Sequence, residues 1–217
     1  DILLVLGDRF EMFAAVAAAA AFNLPVAHVH GGEVTKGAID DGFRHAITKL
    51  SHLHFVSTRT YADRVVQMGE DPGRVCVCGA PALDNIKGLE LYSLAELGDL
   101  FGFCVDTPPL LVTYHPVTRD YGGTERQMGE LLAALERGGY PAIFTLPNAD
   151  TNGRIIIEMI KKHVARHSEC HLVDNLGTRG YFSMMAAAAA MVGNSSSGLI
   201  ESPSFGLPVV NIGSRQQ

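Results

Sequence analysis

Hydrophobic and polar positions alternate along the chain in a pattern that predicts strands and helices in regular succession. Ile2–Leu6 is a continuous apolar run, typical of a strand buried on both faces of a parallel sheet. Further strands are predicted over 25–29, 53–56, 74–78, 110–113, 142–146, 171–173, 191–192 and 209–212. Helices are predicted over 11–22, 40–51, 61–68, 125–137, 153–166, 180–190 and 197–201, with a short one after Ser93. This succession predicts an α/β fold of doubly wound type.

The alternation loosens between residues 84 and 108, where we predict a linker. We therefore predict an N-terminal lobe over 1–90 and a C-terminal lobe over 91–217, both Rossmann-like and both partial. Because ligands of open α/β sheets bind beyond the carboxyl ends of strands, two such lobes in series predict a ligand cleft between them. The sequence starts within a strand without methionine and ends just after another, so we interpret it as a fragment truncated at both ends.

Composition excludes several classes of protein. The formal net charge of −6 does not fit a nucleic-acid binder, although backbone N–H groups can still hold a small anion. The four cysteines show no metal-ligand spacing, and free buried thiols are favoured over disulfides. The longest apolar run, Met12–Phe22, is shorter than the roughly 20 residues that span a membrane. With no signal peptide at the start, we expect a cytoplasmic protein without membrane contact.

The turn Gly193–Gly198 is the clearest candidate for binding chemistry. A strand runs into small residues and then a helix, so backbone N–H groups and serine hydroxyls can surround an anion. Glu201 follows one helical turn later, where a carboxylate could accept hydrogen bonds from a ribose diol. A serine-capped helix with a solvated glutamate explains the same residues without a ligand, and neither a dinucleotide nor a P-loop motif is present.

Two short polar segments follow the first two strands. Asp8 lies at a strand end, where it is either a cleft carboxylate or an N-cap that forms a capping box with Glu11. His28 and His30 stand two residues apart, and hence on one face of a strand. A metal site would need a third ligand nearby, and His28 alone is better interpreted as a packed strand residue.

Further candidates open a helix and end two strands of the second lobe. Asp40 and Arg44 are four residues apart, so both can face the same side of their helix. Asp40 and Asp41 are paired carboxylates near His45, and such a group suits the abstraction and return of a proton. His115 ends a strand, and its position distinguishes it from an ordinary structural histidine. The polar segment around Asn148 ends another strand and either lines the cleft or caps a helix.

Taken together, these segments resemble the UDP-N-acetylglucosamine 2-epimerase family, particularly its hydrolysing branch in sialic or legionaminic acid pathways. The matching blocks are GDRFE (7–11), HVHGGEVT (28–35), IDDGFRHAITKLSHLHF (39–55), YHPVT (114–118), PNADTNGR (147–154) and GNSSSGLIESPSFGLPVVNIGSRQ (193–216). The resemblance implies two lobes of the glycosyltransferase-B type and a homo-oligomer at full length. It also implies hydrolysis of UDP-GlcNAc to UDP and N-acetylmannosamine through a glycal, with no cofactor or metal.

The same resemblance implies roles for individual residues. Catalytic roles fall on Asp8, on the acidic pair Asp40 and Asp41, and on His115, which would assist the departure of UDP. Contacts to the UDP-sugar are implied, or proposed from position, for Arg9, Arg44, His45, Asn148, Ser195, Ser196, Glu201 and Arg215. Tyr181 and Phe182 are weaker candidates for neighbours of the uracil.

His30 departs from part of the family, because some members carry glutamate there. If that glutamate is a base, either His30 replaces it or the role moves to Asp8 or the aspartate pair; a histidine titrates near neutrality and can serve. The change could also accompany a different substrate, such as a UDP-diacetamido sugar. A non-hydrolysing epimerase, a UDP-sugar glycosyltransferase and a non-catalytic UDP-sugar sensor remain alternatives.

Overall fold

The computed structural model describes residues 1–36, 38–117, 122–147, 152–213 and 215–216. The chain divides into two compact units, Asp1–Asp84 and Asn85–Gln216. The segment 85–90, which the sequence analysis placed in the first lobe, lies in the second unit. The reason is packing, since Ile86 and Leu89 contact a hydrophobic core of that unit.

The first unit is a parallel sheet with the strand order β1-β2-β3-β4. Its strands are β1 (Leu3–Leu6), β2 (Val26–Val29), β3 (Leu53–Val56) and β4 (Val75–Val77). Its helices are α1 (Phe10–Ala21), α2 (Asp40–Leu50), α3 (Arg59–Gln67) and the single turn α4 (Pro81–Asp84), with a short 3₁₀ helix at Pro72–Arg74. The long elements fall where the hydrophobic pattern predicts them, whereas α4 and the 3₁₀ helix were not predicted.

The prediction that the first strand is buried on both faces is wrong for the described residues. Val5 packs with Val16 of α1 and Ile47 of α2 in a hydrophobic core. The neighbouring side chains point to the other face, because side chains alternate along a strand. Leu4 and Leu6 there are 65% and 57% exposed. Within the part of the chain that the structure describes, the apolar run is thus covered on one side only.

The second unit is a parallel sheet with the strand order β7-β6-β5-β8-β9. Its strands are β5 (Leu110–Thr113), β6 (Ala142–Thr145), β7 (Cys170–Val173), β8 (Ala190–Gly193) and β9 (Val209–Asn211). Its helices are α5 (Leu94–Phe101), α6 (Thr124–Gly138), α7 (Gly153–Val164), α8 (Gly177–Ala187) and α9 (Ser197–Ile200), with a 3₁₀ helix at Ser202–Phe205. The order reverses between β5 and β8, and that reversal is the topological switch point of a doubly wound sheet.

Alternation along the central strands builds a core on each face of this second sheet. Val112 and Phe144 face the side covered by α6 and α7, where Met128 and Ile156 are fully buried. Leu111 and Ile143 face the side covered by α5 and α8. Burial of both faces explains the continuous apolar runs of these strands. It also leaves the strand ends as the place where polar residues can gather.

The cysteines and helices allow two further statements about the described chain. All four cysteines are free, as predicted, but only Cys170 is buried, whereas Cys76, Cys78 and Cys104 are exposed. The expectation of buried thiols is therefore wrong for three of them, because β4 and the segment before β5 leave these side chains at the surface. Within the described ranges, no helix combines the length and the apolar character needed to cross a membrane.

Candidate functional site

A cluster of polar side chains forms at the carboxyl ends of β1 and β2 in the first unit, and Glu33 is its centre. Glu33 Oε1 lies 2.6 Å from His30 Nδ1 and accepts a hydrogen bond from Ser57 Oγ at 2.9 Å. Glu33 Oε2 accepts a hydrogen bond from Arg44 Nη1 at 2.9 Å. Burial works to raise the pKa of Glu33, but the hydrogen bond and charge of His30, with the charge of Arg44, outweigh it and lower this pKa. Glu33 is therefore held as a carboxylate.

Arg44 of α2 joins Glu33 to Asp8. Its guanidinium donates to the carboxylates of both residues and to Thr35 Oγ1. Burial alone would lower the pKa of Arg44, but the charges and hydrogen bonds of Asp8 and Glu33 raise it. Asp8 is consequently not the N-cap of α1: that position is Arg9, which makes no side-chain capping bond. The structure removes the capping-box alternative and places Asp8 in the polar cluster.

The two histidines of the second predicted strand lie in different environments. His28 is fully buried, with Nε2 2.8 Å from the carbonyl of Gly7 and Nδ1 3.2 Å from Thr48 Oγ1. His30 lies beyond the end of β2 in a left-handed conformation with φ of +67°, so strand alternation no longer sets its direction. The interpretation of His28 as a packed residue is confirmed. Among the described residues, no group of three or more potential ligands is arranged to hold a metal ion.

The remaining predicted residues of this unit lie around the start of α2 and α1. Asp40 is buried in the first turn of α2, and Asp41 Oδ1 accepts a hydrogen bond from the Thr35 backbone N–H at 2.8 Å. His45 Nε2 is 3.9 Å from Asp41 Oδ2. Arg9 is 3.5 Å from Glu11 in a partly exposed ion pair. Asp41 thus fastens the loop that carries Thr35, while Arg9 lies outside the contacts of Glu33 given above.

In the second unit, His115 lies at the topological switch point and is held by Asn194. The Asn194 side chain is fully buried, accepts a hydrogen bond from the His115 backbone N–H at 2.7 Å, and donates one to the His115 carbonyl at 2.9 Å. Asn194 also donates its own N–H to the Thr113 carbonyl at 3.2 Å. The segments after β5 and β8 are thereby locked together, and the backbone of His115 is fixed.

Gly193 is the residue that permits this close approach. Its φ is +146°, and a Cβ atom built on it would lie 1.9 Å from the Thr113 carbonyl oxygen. No L-residue with a side chain fits there without moving the strand end. The glycine before Asn194 is therefore a geometric requirement of the switch point.

A cavity of about 570 Å³ opens beside these strand ends, lined by residues of the second unit including His115, Ser195, Ser197, Thr113 and Tyr181. Its size lies within the range of roughly 300–1,000 Å³ typical of small-molecule sites. Burial, with the charge of Glu201 adding to it, raises the pKa of Tyr181 more than hydrogen bonds to Ser197, Thr113 and Ser195 lower it. The tyrosine thus presents a neutral hydroxyl. Phe182 instead packs against Phe205 in the core, so its predicted place near a uracil is not supported.

The residues predicted to hold the anion separate into two groups. Ser195 lines the cavity, whereas Ser196 is the N-cap of α9 and Arg215 is buried behind the turn, with Nη1 donating to the Asn194 carbonyl at 3.3 Å. Glu201, half-buried, follows the end of α9. The short helix predicted over 197–201 is present as α9, and because it has only four residues its dipole makes a small contribution to anion binding. Asn148 lies outside the described residues.

Two residues of these arrangements were missed as candidates in the sequence analysis. Glu33 appears there only within a matching block, although a carboxylate directly after the pair Gly31-Gly32 at a strand end is a usable signal. Asn194 appears only as part of the small-residue turn. Its amide can bracket a backbone N–H and carbonyl together, but the partner is 79 residues away and cannot be found from local spacing.

Comparisons with known proteins indicate one family. The family model described as UDP-N-acetylglucosamine 2-epimerase matches residues 1–217. A Campylobacter jejuni protein named GDP/UDP-N,N'-diacetylbacillosamine 2-epimerase (hydrolyzing) is 41% identical over 100% of this chain and 57% of its own length. The UDP-N,N'-diacetylbacillosamine 2-epimerase (hydrolyzing) of Legionella pneumophila is 39% identical with the same two coverages. The chain thus spans little more than half the length of these relatives.

Solved structures support the fold. A Methanocaldococcus jannaschii UDP-GlcNAc 2-epimerase in complex with UDP-GlcNAc and UDP superposes with a TM-score of 0.83 at 17% identity, covering 100% of this chain and 61% of that one. The Neisseria meningitidis UDP-GlcNAc 2-epimerase bound to UDP-GlcNAc gives a TM-score of 0.78 at 18% identity, covering 97% and 58%. The fold is therefore that of these two-lobed enzymes, as the sequence predicted.

Proposed function

Because this chain belongs to the UDP-N-acetylglucosamine 2-epimerase family, we propose that it performs the hydrolysing 2-epimerisation of a UDP-sugar. The single observation that carries this is the switch point of the second unit. There the backbone of His115 is fixed by Asn194 beside a cavity that Ser195, Ser197 and Tyr181 line with hydroxyl groups. Hydroxyl groups and backbone N–H groups can donate hydrogen bonds to a diphosphate. A histidine can donate a proton to the diphosphate as it leaves.

The proposed reaction has two balanced steps. A base removes the proton from C2 of the sugar, the electrons of that C–H bond form the C1–C2 double bond, and the C1–O bond breaks with its electron pair leaving on UDP. Water then adds across the double bond of the glycal. Its hydroxyl group bonds to C1, and C2 receives a proton on the face opposite to the one that lost its proton. The products are UDP and a free sugar of the manno configuration. The acids and His30 of the first unit supply candidates for the proton transfers.

The sugar itself is proposed from the names of the relatives. The two relatives above are named for UDP-N,N'-diacetylbacillosamine at 41% and 39% identity. A protein of Escherichia coli named Polysialic acid biosynthesis protein P7 is 37% identical, and the N-acetylmannosamine product that the family resemblance implies is kept as the alternative. We favour the diacetamido sugar. Homo-oligomerisation, a cytoplasmic location and turnover without a cofactor stay predictions.

Turnover in D₂O tests this function. The protein at its full natural length is incubated separately with UDP-GlcNAc and with UDP-N,N'-diacetylbacillosamine, and the products are followed by NMR. We expect UDP and a free 2-epimeric sugar carrying deuterium at C2, faster with the diacetamido substrate. Intact UDP-sugar with deuterium at C2 would instead indicate a non-hydrolysing epimerase. Binding without turnover would indicate a sensor, and release that needs an added acceptor would indicate a transferase.

A further inference from the structure

Glu33 has the burial and the contacts expected of a residue that acts through a neighbouring side chain, here His30. Its carboxylate is largely buried, with a side-chain exposure of 15%, and it contacts three side chains from three parts of the unit. The shortest contact, 2.6 Å, is to Nδ1 of His30. A buried carboxylate this close to an imidazole nitrogen accepts a hydrogen bond from the N–H group of that nitrogen.

We propose that Glu33 is a positioning residue that fixes the tautomer and orientation of His30, so that His30 Nε2 serves as the base that removes the C2 proton. This inference rests on the proposed function. A neutral imidazole carries one proton, and Glu33 keeps it on Nδ1, which leaves the lone pair on Nε2. When the imidazole gains the C2 proton, the carboxylate stabilises the resulting cation.

The surroundings of His30 leave Nε2 as the available basic atom. The only hydrogen bond that the described residues make to the imidazole is through Nδ1, and the side chain retains 15% exposure. Its left-handed backbone, with φ of +67°, costs energy that the surrounding contacts must offset. The strained conformation turns the chain sharply after β2 and brings the imidazole to Glu33.

The neighbouring carboxylates are engaged in other contacts. Arg44 binds both Asp8 and Glu33, so either would have to give up an ion pair before taking a proton. Asp41 Oδ1 holds the Thr35 backbone N–H. His30 is thus linked through Glu33 to the charges of Arg44 and Asp8, while Arg64 of α3 donates to the Gly32 carbonyl. Unlike Asp8 and Glu33, His30 can take a proton on Nε2 without giving up an ion pair.

The test compares Glu33→Gln with a matched control. The glutamine keeps the size and an acceptor for Arg44 but loses the negative charge that supports the imidazolium. We expect kcat to fall roughly 10- to 100-fold with KM within about threefold. Glu70→Gln is the matched control, because it neutralises the carboxylate of another glutamate–histidine pair in the same unit, Glu70 Oε2 and His54 Nε2 at 3.2 Å, which is not part of the candidate site. We expect kcat of this variant to stay within about threefold of the parent.

Two further measurements separate positioning from a merely structural role. If Glu33 acts through His30, the double variant His30→Gln/Glu33→Gln loses no more activity than His30→Gln alone. If the double variant instead loses activity by the product of the two single losses, the proposal is wrong. UDP affinity by calorimetry checks that the variants are folded, and a parental value is expected.

The tautomer of His30 gives a readout that does not depend on turnover. In ¹⁵N-histidine-labelled protein, with His30→Gln to assign the signal, we expect the Nδ1–H form in the parent and a mixture in Glu33→Gln. An Nε2–H form in the parent would overturn the inference even if UDP is released. If UDP is not released, the proposed function fails while this measurement still decides what Glu33 does.

Discussion

At the scale of single residues, Gly193 is where the backbone leaves least freedom. We expect Gly193→Ala to destabilise the protein by about 3 kcal/mol or more, because the added Cβ would lie 1.9 Å from the Thr113 carbonyl oxygen and the strand end must move. Gly206→Ala is the matched control: its φ is +61° and nothing lies within 4 Å of an added Cβ, so only conformational strain of about 1 kcal/mol is expected. Urea unfolding measures both, and equal losses would contradict the geometric argument.

The same scale shows what could be predicted of the candidate sites. The strand-end positions of Asp8, His115 and Ser195 follow from hydrophobic runs closed by polar residues, and the structure places all three where those runs predict. The residues that hold these arrangements together, Glu33 and Asn194, cannot be predicted from the same hydrophobic runs. Glu33 gains its place through a left-handed turn at His30, and Asn194 through a contact across the switch point. Neither a positive φ at a non-glycine residue nor a long-range amide contact leaves a periodic signal in the sequence.

At the scale of elements, β2 is tied to β1 and α2 through one buried histidine. Burial, opposed by the hydrogen bond to Gly7 and reinforced by the charge of Arg44, lowers the pKa of His28 from 6.5 to about 4. The folded state therefore keeps this imidazole neutral, with one ring nitrogen 2.8 Å from the Gly7 carbonyl and the other 3.2 Å from Thr48 Oγ1. Protonation below pH 4 would place a positive charge on this buried side chain, close to the charge of Arg44.

This lowered pKa predicts how stability changes with pH. Between about pH 6.5 and pH 4 the unfolded chain binds a proton at His28 that the folded protein does not, so the free energy of unfolding falls as pH falls. The loss is full below the folded pKa of about 4 and amounts to about 3 kcal/mol. Urea unfolding of the parent and of His28→Gln at several pH values checks this. The variant should lose that part of the pH dependence, and parallel profiles would contradict the assignment.

Among the elements, those that bury a periodic apolar face could be predicted and the short ones could not. The strands Leu53–Val56 and Leu110–Thr113 were predicted at the residues where they occur, because apolar runs end there at polar residues. The single turn Pro81–Asp84 buries no residue and so carries no hydrophobic period. The run at Ile2–Leu6 was predicted as a strand, but its burial was not predicted correctly. Composition indicates how apolar a strand is, and does not indicate which elements cover each of its faces.

At the scale of the whole molecule, the two units carry different parts of the proposed chemistry. The first holds carboxylates, an arginine and His30 around Glu33, which suits proton transfer. The second holds hydroxyl groups and His115 around a cavity at a switch point, which suits the leaving group. The order of strands that creates the switch point could not be predicted, since hydrophobic periodicity identifies strands but not which of them pair.

This division predicts that UDP affinity and turnover respond to different substitutions. We expect Glu201→Ala to weaken UDP binding roughly tenfold or more, because a carboxylate beside the anion turn can accept two hydrogen bonds from a ribose. We expect His115→Ala to lower kcat by roughly 100-fold or more while UDP affinity stays within about threefold, because protonating the leaving group matters only in the transition state. His30→Gln in the first unit should likewise keep UDP affinity and lose turnover. Calorimetry with UDP alone, paired with rates of UDP release, separates the two effects. A His115→Ala protein that binds UDP poorly but turns over normally would reverse the assignment, and its imidazole would then be a binding group for the diphosphate.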